Sequence, residues 1–89
     1  MKEFIWKIKG ECEQGLFAND IDDAWMKIEE ILTTLNYPLN DGWYDRWQVR
    51  RARRGDPIEQ TLTVMLRPAN EQEYEEQNIR TYHLEPIQD

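Results

Sequence analysis

The chain has 89 residues, with 11 Lys and Arg against 18 Asp and Glu and a formal net charge of −7. Hydrophobic residues make up 39% and include four Trp, four Tyr and two Phe, enough for one modest core and too many for a disordered chain. One Cys and one His exclude an internal disulfide and a Cys/His metal site, no leader pattern opens the sequence, and no apolar run approaches a membrane span. The expectation is one cytoplasmic α+β domain over residues 1–89 with no cofactor and no metal.

Residues 4–9, FIWKIK, alternate, so that Phe4, Trp6 and Ile8 share a face. Cys12 continues that parity past Gly10, which sets a first strand over Phe4–Cys12. Leu16-Phe17-Ala18 reads as a short second strand or an extended lead-in. A helix is expected over residues 20–36. Asn19 or Asp20 caps it, and Asp20, Asp22 and Asp23 crowd its first turn, where the helix dipole favours negative charge. Ile21, Ala24, Trp25, Ile28, Ile31, Leu32 and Leu35 recur at three- and four-residue steps as a core-facing stripe. Asp23 and Lys27 have the i, i+4 spacing of a surface ion pair. Tyr37 precedes Pro38 and is driven out of the helical region, so the helix stops near Asn36.

Tyr37–Tyr44 is a loop around Asn40-Asp41-Gly42 that gathers Tyr37, Trp43 and Tyr44. These aromatics either lid the edge of the core or anchor a partner. Residues 46–67 then read as one β-hairpin turning at Gly55-Asp56-Pro57, with strands Trp47–Arg53 and Ile58–Arg67. With residues 54–57 as the loop, Val49 faces Leu62 and Trp47 faces Val64, and Trp47, Val49, Ile58, Leu62 and Val64 share one side. Arg51 and Arg53 follow on that side. Two charges are not buried unpaired, so the core is expected to end near Val49.

Asn70-Glu71-Gln72-Glu73 resembles a capped helix start, and a short, solvated second helix is expected over 71–78. Ile79–Leu84 reads as a last strand at a sheet edge. Together these elements predict a two-layer α+β domain. It has an antiparallel sheet of three to five strands, the 20–36 helix packed on one face and the short helix 71–78.

The chemistry-bearing patterns are few. Cys12 and His83 have no spacing that ties a nucleophile to an oriented base. Asp20-Ile21-Asp22-Asp23 lacks the ligand spacing of a calcium loop. No glycine-rich phosphate loop is present. Arg54-Gly55-Asp56 spells an integrin-read tripeptide, which fits a disulfide-stapled secreted protein and is a chance match here. A non-enzymatic protein is therefore expected.

Charge layout is the informative feature. Residues 46–54 hold five Arg and no acid, which leaves 6 basic and 18 acidic residues elsewhere, a balance of −12. Two surfaces follow as candidates. The acidic one comprises Asp20, Asp22, Asp23, Glu30, Glu71, Glu73, Glu75 and Glu76. The basic and aromatic one comprises Trp43, Tyr44, Arg46, Arg50, Arg51, Arg53 and Arg54. The first suits an inhibitor that contacts a protein partner and imitates nucleic acid in the basic groove of a nucleic-acid-handling enzyme. Small acidic inhibitors of phages and mobile elements are the analogy, by size and charge. The second suits a small nucleic-acid-binding module in which the Arg-rich hairpin tracks phosphates.

Overall fold

The computed structural model describes residues 1–34, 47–55 and 61–86, with side chains for all of these except Thr34, Trp47, Gln48 and Pro86. The elements are β1 (Lys2–Ile8), β2 (Gln14–Ala18), α1 (Ile21–Thr34), β3 (Trp47–Arg51), β4 (Thr61–Pro68), a 3-10 turn (Glu76–Asn78) and β5 (Ile79–Pro86). The five strands form one antiparallel sheet in the order β2-β1-β4-β5-β3.

Alternation sets the core. Phe4, Trp6 and Ile8 on β1, Leu62, Val64 and Leu66 on β4, Tyr82 and Leu84 on β5, Val49 on β3 and Ala18 on β2 are buried in one cluster. Ala24, Trp25, Ile28 and Leu32 of α1 belong to the same cluster, which is the stripe that the helical spacing marks out. Trp6, Ile28, Val64 and Leu66 are at most 1% exposed and form its centre. Leu16, Ile21 and Ile31 pack against it half-buried.

The helix starts as its sequence dictates. The Asp20 carboxylate accepts the Asp23 N–H at 2.8 Å, and the Asp23 carboxylate accepts the Asn19 N–H at 2.9 Å. Asp20 thereby satisfies an amide that the first turn leaves without a backbone partner, and Asp23 reaches back to the residue before the cap. Lys27 lies 3.6 Å from Asp23, as the i, i+4 spacing anticipates.

Strand connectivity departs from the sequence expectation. β3 and β4 do not pair as a hairpin, because β5 lies between them. Val49 faces Leu84 and not Leu62, and Leu62 faces Tyr82. β3 and β4 each run antiparallel to β5, so they are parallel to each other, and a tight hairpin turn joins only antiparallel strands. The Gly55 signal is still a turn, with φ at 92°. Ile58 and the rest of 56–60 lie outside the described residues.

β5 is correspondingly an interior strand. Its composition suits that place: Tyr82 and Leu84 are buried on one side and His83 on the other. The first strand ends at Ile8, sooner than Cys12. The chain turns at Lys9-Gly10, where Gly10 takes φ of 91°, and Cys12 is exposed.

The helix expected over 71–78 is only the three-residue 3-10 turn. Its segment offers one aromatic side chain and four acids, too little apolar surface to dock a helix, and Tyr74 is held elsewhere. α1 ends at Thr34, with residues 35 and 36 outside the described ones, as are Trp43, Tyr44 and Arg46. Among the described residues no helix is long and apolar enough to cross a membrane.

Candidate binding surfaces

Two of the acidic candidates, Asp20 and Glu71, fall at one end of the sheet. Asp20 and Ile21 at the start of α1, Lys2, Glu3 and Phe4 of β1, and Pro68, Ala69, Asn70 and Glu71 after β4 line one cleft of about 810 Å³. It brings Asp20 and Glu71, 51 positions apart, to a common rim with Glu3. Only Lys2 opposes those three carboxylates in the lining. Asp22, Glu30, Glu73, Glu75 and Glu76 are exposed, and Asp23 is half-buried. Part of this charge serves the fold itself. Asp20 and Asp23 cap α1, and the Glu75 carboxylate accepts the Gln77 amide at 2.6 Å.

A three-residue latch holds the segment that carries Glu71–Glu76. The Glu13 carboxylate accepts the Tyr74 hydroxyl at 2.5 Å and the Arg67 guanidinium at 3.1 Å. Arg67 also donates to the Glu71 carbonyl, and its Cζ lies 5.4 Å from the Tyr74 ring centre. The Tyr74 hydroxyl first, then Arg67, holds the Glu13 carboxyl below its ordinary range. Burial, together with the Glu13 contact, pushes the Tyr74 phenol up to about 12. Neither Glu13 nor Tyr74 is among the sequence candidates. Their pairing joins the β1–β2 turn to the β4–β5 connection, 61 positions apart, and no local pattern announces it.

A second cluster joins helix to sheet. Glu29 of α1 accepts from Arg80 at 2.9 Å and from the Tyr82 hydroxyl at 2.8 Å. The Arg80 guanidinium lies 4.3 Å from the Trp25 ring centre. Burial and the Glu29 contact raise the Tyr82 phenol well above its ordinary value. Arg80 and Tyr82 share the parity of Leu84, so sequence alternation places them on the helix side. The partner on α1 is what sequence does not supply.

The arginines are divided among different fates. Arg50 donates to Glu85 at 2.8 Å and is half-buried, so this member of the basic set is neutralised by the protein itself. Arg51, Arg53 and Arg54 are exposed. Val49 is 8% exposed and Arg51 beside it on the same side is open, so the core ends at Val49 as expected. Among the described residues Arg51 and Arg54 make no ion pair. A small cleft of about 190 Å³, lined by Leu32, Thr33, Val49, Arg51 and their neighbours, sits beside β3.

His83 is 7% exposed, its Nδ1 has no hydrogen-bond partner among the described residues, and its Nε2 lies 3.9 Å from Glu85. Cys12 is exposed on the β1–β2 turn, and His83 lies on β5, which β4 separates from β1. Among the described residues no group of three His, Cys, Asp or Glu is placed to hold a metal ion.

Comparison of the chain with models of protein families, with curated proteins and with solved structures matched nothing.

Proposed function

We propose that the protein is a non-enzymatic binding or inhibitor protein whose acidic surface occupies the basic groove of a nucleic-acid-handling enzyme in place of nucleic acid. The two-layer arrangement expected from sequence, α1 on one face of the sheet, belongs to this proposal as its rigid support. The observation that carries it is the convergence of two acidic segments on one cleft, with Asp20 and Glu71 on the same rim. Charge repeated along a rigid surface steers encounter with a basic partner and excludes acidic ones. The analogy to small inhibitors of phages and mobile elements remains one of size and charge.

A second reading, direct nucleic-acid binding through residues 46–54, draws support from Arg51 and Arg54, which are exposed without an ion pair among the described residues. It is weakened by Glu85, which takes up Arg50, and by the −12 balance outside the arginine run.

One preparation separates the two. Immobilised protein is exposed to cell lysate, retained proteins are identified, and duplex DNA is added in excess. The same protein is run against labelled duplex in a low-salt gel shift. Retention of nucleic-acid-handling enzymes that DNA displaces, and that Asp22→Asn with Glu73→Gln and Glu76→Gln weakens, supports mimicry. Retention indifferent to both would refute it, and a gel shift lost on Arg51→Ala with Arg54→Ala would install the second reading.

A further inference from the structure

The two edges of the sheet are finished differently. In an antiparallel ladder, alternate residues point their N–H and C=O groups toward the neighbour and the others point them away. Ala52 N–H bonds the Thr81 carbonyl at 3.1 Å, so the even-numbered residues of β3 face β5 and Val49 and Arg51 turn their backbone groups outward. On β1, Lys9 N–H bonds Thr63 of β4, so the odd positions of β1 serve β4 and the outward groups of β2 are those of Gly15 and Phe17.

The β2 edge is guarded. Lys27 Nζ donates to the Phe17 carbonyl at 2.9 Å, and the Asp23 carboxylate accepts the next outward amide, Asn19 N–H, at 2.9 Å. Two α1 side chains thus occupy groups that another strand would use, a common protection of sheet edges. The β3 edge has no such guard among the described residues, and none pairs with the outward groups of Val49 or Arg51.

We propose that β3 is the acceptor edge for an extended acidic segment of a partner protein, which adds beside Val49 and Arg51 as a further strand of the sheet. Main-chain pairing supplies affinity in such strand addition, and alternate side chains supply selectivity. Three features select the occupant. Arg51 and Arg54 are exposed cations without an ion pair among the described residues, so carboxylates on the incoming strand find partners there. The cleft beside Val49, Leu32 and Thr33 receives an apolar side chain from the alternate position. A second copy of β3 brings its own Arg50 and Arg51, and like charges set across a ladder are destabilising, so the occupant is not this chain. The acidic cleft at the ends of β1 and β4 takes no part, so the inference stands or falls separately from nucleic-acid mimicry.

The test uses the whole protein and a display library of short random peptides. Enriched peptides are expected to alternate acidic with β-branched residues and to slow exchange of the Val49 and Arg51 amides. Two substitutions separate charge from main-chain pairing. Arg51→Ala removes the cation, and Arg51→Pro removes the cation and the outward N–H while leaving the β5 ladder intact. Circular dichroism melts of both variants confirm that they fold. Affinity for an enriched peptide is expected to fall about tenfold in Arg51→Ala and further in Arg51→Pro. Equal loss in the two variants overturns strand addition. So does a library that enriches nothing, or peptides without acids. Binding of labelled single-stranded DNA lost in Arg51→Ala, with no peptide enriched, assigns the edge to nucleic acid instead.

Discussion

Glu13 shows how far a single residue departs from what its neighbours in sequence announce. It lies in a polar turn, yet it holds Arg67 and Tyr74 and so fixes the acidic segment after β4. The signs of its linkage are definite. The Glu13 carboxyl is depressed below 4.5, so its contribution to stability is intact above 4.5 and is lost as pH falls through the folded value. The Tyr74 phenol is raised from 10.0 to about 12, so its contribution is intact below 10.0 and is lost as pH rises through about 12. Urea midpoints measured against pH are expected to show a shallower acid limb in Glu13→Gln and a shallower alkaline limb in Tyr74→Phe. Limbs parallel to the wild type in both variants would mean that the latch is absent. Spacing marks the helix cap at Asp20 and the Asp23–Lys27 pair, because both are local. It does not mark Glu13 or Glu29, whose partners come from distant strands.

At the scale of elements, α1 is legible because its signals agree: a cap, an acidic first turn and an apolar stripe. Removing the cap should therefore cost what a lost cap costs. Asp20→Ala is expected to lower unfolding free energy by about 1 kcal/mol, read from denaturant midpoints at neutral pH. An unchanged midpoint would show that the Asp23 amide finds another partner. The second helix is absent because a capping pattern, Asn70 followed by Glu73, occurs without an apolar face behind it. The alternation that sets the faces of β3 and β4 is correct, since Val49, Leu62 and Val64 are all buried in the core. Alternation fixes the face a side chain points to and not the strand it meets. The turn signal at Gly55 therefore suggests a hairpin that long-range pairing with β5 replaces.

Across the whole molecule, strand order decides where charge is displayed. Insertion of β5 between β4 and β3 carries Arg51 and Arg54 to one edge. The cleft of Glu3, Asp20 and Glu71 lies at the ends of β1 and β4, toward the guarded β2 edge. Composition reveals the imbalance between residues 46–54 and the rest, and the sequence segments of both surfaces are legible from it. Their placement on separate sides is not, because it depends on a crossover that no local spacing encodes. The separation of the two surfaces rests on β3 pairing with β5. A proton NOE spectrum reads this directly, because facing residues of a non-hydrogen-bonded antiparallel pair bring their α-protons close. The expected result is an α-proton contact between Val49 and Leu84, with another between Thr63 and Thr81. A Val49–Leu62 contact in their place would restore the hairpin and contradict the separation.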